Sequence, residues 1–143
     1  WPDNIDFAKK CKKNSICFVQ LLSPTTSNNR MKKIIKSSHD MIYYISMLST
    51  TGGKLKISPR EILKNYSKIK KIIKGRKKNL VIGFGITSKN ISSFKLSDGC
   101  VVGSEICKKI SKSIKNRQNP VTNVGNMVKN LKKKLYELDK KNS

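Results

Sequence analysis

Two short stretches carry the residue types that could hold an anion. LVIGFGITSKN, residues 80–90, runs an apolar segment into Gly83, Phe84 and Gly85 and then into a helix start. CVVGSEI, residues 100–106, repeats the plan, with Gly103 and Ser104 between the apolar run and the next helix. Glycine has no side chain to hold a ligand away from the backbone. A helix that begins there turns its unpaired N–H groups and its positive dipole end to the same place. Glycine turns after successive strands therefore point to a phosphate gripped by backbone donors.

Groups that could move a proton are scarcer. The acids are Asp3, Asp6, Asp40, Glu61, Asp98, Glu105, Glu137 and Asp139. Most fall on helices or just ahead of a strand, and Glu61 belongs to a helix cap. Glu105 lies nearest the second glycine turn, but on the helix that follows it, where its charge would repel phosphate. Acid–base work needs a group within hydrogen-bond reach of the reacting proton, and none of these acids is so placed. His39, the single histidine, sits in SSHDMIYY and reads as a loop residue. Cys11, Cys17, Cys100 and Cys107 form no C-x-x-C pair, and with one histidine they make no metal-ligand set. Cys17 and Cys100 lie in apolar runs, as the buried, reduced thiols of a cytoplasmic protein do.

The charge is large but diffuse. The formal net charge is +24, from 28 lysines and 4 arginines against 8 acids. Arginine is the side chain that reads phosphate forks and base edges. Lysines spread over every helix describe solvated faces, not a specific nucleic-acid surface. No apolar run approaches the ~18 residues of a membrane-spanning helix. The chain opens WPDNID, with no initiator methionine and no signal-peptide pattern, which suggests a fragment or a processed chain. Its 143 residues amount to one domain.

The elements that must position the glycines follow from periodicity. Phe7, Ala8 and Cys11 share a helical face that Asn14 can close. SICFVQLL reads as a strand buried on both faces. Met31, Ile34 and Ile35 mark a helix, and MIYYIS a second strand, in which only one of Tyr43 and Tyr44 can face a given side. Ser58-Pro59-Arg60-Glu61 is a capping box with proline at the first helical position. Ile62, Leu63, Tyr66, Ile69, Ile72 and Ile73 continue that helix to a stop at Gly75. NLVIGFG, a short helix in SKNISSFKL, and CVVG follow. Then come a helix with Ile106, Ile110 and Ile114 on one side and a terminal helix with Val124, Met127, Val128, Leu131, Leu135 and Leu138 inward. Alternating helices and buried strands predict a parallel sheet, either open and doubly wound or part of a (β/α)8 barrel.

LLSPTTSNNR, MIYYISMLSTTGG, VIGFGITSKN and SDGCVVGSEI, in this order, closely resemble the second half of the tryptophan synthase alpha chain family over about residues 3–115. The resemblance implies an α/β fold, the C-terminal half (strands 5–8) of a (β/α)8 TIM barrel. The phosphate-binding half would fill residues 1–143, with a terminal helix over about 117–143. The implied activity is a cytoplasmic lyase of tryptophan biosynthesis. It cleaves indole-3-glycerol phosphate to indole and glyceraldehyde 3-phosphate by retro-aldol chemistry without a cofactor. Indole would pass to a beta chain, the partner in an alpha2-beta2 complex, which alone carries PLP. By motif, Gly52, Gly85, Gly103 and Ser104 would hold the phosphate, Tyr43 would line the pocket, and Phe84 and Val101 would flank the indole. Thr51 would touch the catalytic aspartate when its loop closes.

Two departures stand out: Met47 where many members carry arginine, and Ser49 where they often carry glycine. The family's catalytic glutamate and aspartate belong to strand 2 and the loop after it, segments with no counterpart here, so this chain alone should be inactive. The competing readings are another phosphate-binding barrel enzyme of tryptophan or histidine synthesis, and a basic module binding phosphate or nucleic acid.

Overall fold

A computed structural model of the chain describes residues 5–46, 58–75 and 77–136. The elements run α1 (Ile5–Lys13), β1 (Gln20–Leu22), α2 (Asn28–Ser37), β2 (Met41–Ile45), α3 (Pro59–Ile73), β3 (Asn79–Gly83), a 3₁₀ turn (Ile91–Phe94), β4 (Gly99–Cys100), α4 (Ser104–Lys115) and α5 (Pro120–Tyr136). The capping signals act where they stand. Ser58 Oγ accepts the Glu61 N–H at 3.3 Å, Pro59 opens α3, and Gly75 leaves it at φ +84°. A cap the sequence reading missed starts α5: Asn119 Oδ1 accepts the N–H groups of Val121 and Thr122 at 2.9 and 3.2 Å. Pro120 behind it begins the helix.

The strands form one parallel sheet in the order β1-β2-β3-β4. A doubly wound sheet reverses its strand order at a switch point, and this one does not. Ile42 lies beside Leu80 and Tyr44 beside Ile82. With Leu22 they form the buried face, packed on Ile34 and Ile35 of α2 and Ile62, Tyr66, Ile69 and Ile73 of α3. The alternate residues Leu21, Tyr43, Val81 and Gly99 are in register on the opposite face. That face is open: Leu21 is 56% exposed.

Several expectations give way here. SICFVQLL pairs only from Gln20, because Ser15 takes a left-handed φ of +57° as α1 closes and the chain stays outside the sheet until then. Cys17 is therefore exposed, and Cys11 is the buried thiol; all four cysteines are free. Of CVVG only Cys100 belongs to β4, paired with Ile82, and β4 begins at Gly99. On α4 the buried residue is Ser113, while Ile114 is 63% exposed. The reason is that Ser113 Oγ bonds the Lys109 carbonyl and accepts Asn123 Nδ2 of α5, at 2.8 and 3.0 Å. Val128 of α5 is exposed, and Leu138 lies outside the described residues. No described helix is long and apolar enough to cross a membrane.

A polar network ties the amino-terminal end of the sheet. Tyr66 Oη donates to the Leu80 carbonyl at 3.0 Å and accepts the Asp98 N–H at 2.9 Å. Asp98 Oδ2 accepts the Leu80 N–H at 2.7 Å, and Lys70 Nζ spans both Asp98 oxygens at 2.8 and 2.7 Å. Lys78 Nζ donates to the carbonyls of Ile35 and Ser38, placing a cation at the negative end of α2.

Burial pushes the Tyr66 phenol up to about 12, a rise aided by the Asp98 charge and opposed by the Asp98 backbone bond. Its folded-state value thus lies above the ordinary 10.0. The stabilisation is complete below pH 10 and is lost as pH rises from there through about 12. Tyr66→Phe should flatten that alkaline loss and cost about 1–3 kcal/mol at neutral pH, since a buried carbonyl and N–H lose their partner. Denaturant unfolding across this pH range at fixed protein concentration measures both. The open face and the free edges of β1 and β4 generate a second expectation. The isolated chain should self-associate or stay molten, so sedimentation should find no monodisperse, cooperatively melting 16.2 kDa monomer.

Candidate functional site

The carboxyl ends of β3 and β4 lie side by side. The Val101 N–H reaches the Ile82 carbonyl at 2.7 Å, carrying the pairing just past β4. Alternation along β2 sends Tyr44 into the helix layer and Tyr43 onto the open face. There the Tyr43 phenol lies over Gly83, in the space a β-carbon at that residue would take. Burial raises the Tyr43 pKa, partly offset by a hydrogen bond with the Phe84 backbone. The side chain stays a neutral phenol at physiological pH.

Past Gly83 the chain turns sharply. Phe84 and Gly85 both take left-handed φ values, +69° and +73°. Glycine accepts this freely, whereas phenylalanine is strained by it. Ser46, fully buried at the end of β2, holds the strained residue. Its N–H donates to the Gly83 carbonyl at 3.0 Å, and its hydroxyl lies 2.6 Å from the carbonyls of both Gly83 and Phe84. Asn90 Nδ2 then ties back to the Gly85 carbonyl at 2.9 Å. The Phe84 ring is left 55% exposed over the open end.

On the neighbouring strand Gly103 is the N-cap of α4, with no side chain capping the helix. A β-carbon there would meet nothing within 4 Å, so no side chain packs against Gly103 at that position. Ser104 opens the helix, exposed, and Val101 is 39% exposed beside it. Tyr43, Phe84, Gly85, Val101, Gly103 and Ser104 thus gather at one end of the sheet. Thr51, Gly52, Met47 and Ser49 lie outside the described residues.

The described carboxylates are elsewhere or engaged. Asp98 and Asp40 lie at the amino-terminal end of the sheet, Glu61 in the first turn of α3, and Asp6 beside Lys9 on exposed α1. Glu105 accepts both the N–H and the hydroxyl of Ser88. His39 Nδ1 accepts the Phe18 N–H at 3.0 Å. Among the described residues this end of the sheet therefore presents an uncapped helix start, an exposed aromatic ring and a phenol, but no carboxylate free for proton transfer. Sequence reading passed over Ser46 and Ser88 as partners, because their bonds join residues 37 and 17 positions apart. A groove between α4 and α5 is lined by Ser88, Glu105, Lys108, Lys109, Lys112 and Lys134, among others, and includes none of the glycines of the two turns.

Known proteins resemble this chain in sequence and fold. The family model described as tryptophan synthase alpha chain matches residues 2–136. The tryptophan synthase alpha chain of Pelagibacter ubique is 67% identical over 135 residues, covering 94% of this chain and 50% of that one. Tryptophan synthase subunit alpha from Legionella pneumophila superposes with a TM-score of 0.76 at 23% identity, over 94% of this chain and 48% of that chain. A tryptophan synthase complex from Pyrococcus furiosus gives 0.65 at 21% identity, over 88% and 48%. The chain spans about half the length of the curated relatives it matches. The sheet is thus the C-terminal half of a (β/α)8 barrel. The readings as a different barrel enzyme or a basic nucleic-acid module find no support.

The Tyr43–Gly83 contact gives a direct test. Gly83→Ala should force the phenol aside and cost about 1–3 kcal/mol, as overpacking does. Tyr43→Ala should relieve it, so the double variant should unfold well above the sum of the two single losses. Strict additivity in thermal unfolding would contradict the packing.

Proposed function

The chain belongs to the tryptophan synthase alpha chain family, and on that footing we propose that it forms the phosphate- and indole-binding half of a lyase acting on indole-3-glycerol phosphate. The products are indole and glyceraldehyde 3-phosphate. Cleaving that carbon–carbon bond needs a base to take the proton of the hydroxyl on the departing carbon. It also needs an acid to protonate the indole carbon that keeps the bonding pair. Both groups belong to the other half of the family's barrel, outside residues 1–143, so residues 1–143 by themselves should turn over no substrate.

This half binds and orients. Backbone N–H groups at Gly85, Gly103 and Ser104 grip the phosphate, with Gly52 joining them and the Ser104 hydroxyl adding a bond. Phe84 and Val101 flank the indole, and Tyr43 lines the pocket from the floor. Thr51 meets the other half's aspartate when its loop closes. The reaction itself uses no cofactor, and the indole passes to a PLP-carrying beta chain in the cytoplasm. The neighbour solved as a tryptophan synthase complex supports such a partner. The observation that carries the reading is the uncapped start of α4 at Gly103, with no side chain packed against that residue, beside the left-handed Phe84–Gly85 turn.

The test joins this chain to an N-terminal half bearing the glutamate and the aspartate. The joined barrel should release indole from indole-3-glycerol phosphate, and residues 1–143 alone should not. Gly103→Asp places bulk and negative charge at the phosphate and should abolish turnover, whereas Ser104→Ala should cost about 1 kcal/mol, one hydrogen bond. Turnover by the chain alone, or an active barrel indifferent to Gly103→Asp, would overturn the assignment.

A further inference from the structure

Glu105 occupies the second position of the helix that would receive the phosphate. A carboxylate there opposes an anion unless something occupies it. Its oxygens are occupied: Oε2 accepts the Ser88 N–H at 2.6 Å and Oε1 the Ser88 hydroxyl at 2.7 Å. Both are short, charge-assisted bonds to one residue. Ser88 is also held from the other side, where Lys134 Nζ of α5 donates to its carbonyl at 2.8 Å.

Ser88 lies three residues past Gly85 on a segment with its own internal bracing. The Thr87 N–H donates to Asn90 Oδ1 at 2.8 Å, the Ile91 N–H to the Thr87 carbonyl at 2.9 Å, and Asn90 Nδ2 to the Gly85 carbonyl. What fixes Ser88 therefore fixes Gly85. Resting on the phosphate reading above, we propose that Glu105 is a positioning residue. By gripping Ser88 it locks the loop carrying Gly85 onto the helix that begins at Gly103, and it sets the spacing of the phosphate cradle. The same grip turns its own charge away from the phosphate.

The two roles make opposite demands on variants, which allows a decisive test in the joined barrel. Affinity is measured for glycerol 3-phosphate, with phosphate-free indole as the control ligand. Ser88→Ala should weaken glycerol 3-phosphate by about tenfold or more, one charge-assisted bond's worth, since it loosens the loop and frees Oε1 of the carboxylate while the residue 88 N–H still holds Oε2. Glu105→Ala should weaken it less, because the charge leaves together with the clamp. Adding Ser88→Ala to Glu105→Ala should then change nothing further. Ser88→Thr, which keeps the hydroxyl, should bind like the unmodified barrel, and indole affinity should stay level throughout. Tighter phosphate binding by Glu105→Ala, additive effects of the two changes, or equal losses for indole would each refute the clamp. Failure of the unmodified barrel to bind glycerol 3-phosphate would sink the parent reading and the clamp with it, an outcome distinct from these.

Discussion

Tyr43, Phe84 and Gly85 take their places from one constraint, the shared register of β2 and β3. With Ile42 beside Leu80 and Tyr44 beside Ile82, the period-two alternation sends one apolar set into the helix layer. It leaves Tyr43 and Val81 for the other side. A slip by one residue would exchange the two sets. Ser46 then fixes the end of this pairing by bonding the last carbonyls of β3 and its turn. The strained Phe84 conformation, the open Gly85 and the phenol resting on Gly83 all follow from that junction.

The two ends of the sheet are built by different chemistry. At the amino-terminal end, Lys70, Asp98, Tyr66 and the Leu80 backbone satisfy one another, and Lys78 closes the end of α2. Such saturated polar contacts specify position and leave little for a ligand to bind. At the carboxyl end the residues are small or left-handed, the helix start is uncapped, and side chains stand exposed. This division, rigid below and permissive above, is how barrels of this kind separate stability from binding.

Local signals were legible in the sequence because they act within a few residues. Ser58, Pro59 and Gly75 bounded α3 as read, and the glycine pair at residues 83 and 85 ended its strand. What failed depended on distant partners. Cys17 lies in an apolar run yet is exposed, since the sheet begins only at Gln20. Ser113 is polar yet buried, because Asn123 of another helix meets it. The choice between Tyr43 and Tyr44 needed the register with Gly83, which no periodicity contains. Ser88 read as the start of a short helix and Glu105 as an ill-placed charge until the fold brought them together. Thr51 and Gly52 belong to a loop whose identity rests on resemblance.

The strictly sequential strand order also has a kinetic meaning. Each strand pairs with the one synthesised just before it, although each parallel pairing waits for the crossover between its two strands to close. A ribosome delivering this chain residue by residue adds each strand to an edge already laid down. The sheet can therefore extend in the direction of translation, while its core is complete only once Leu131 of α5 has joined it.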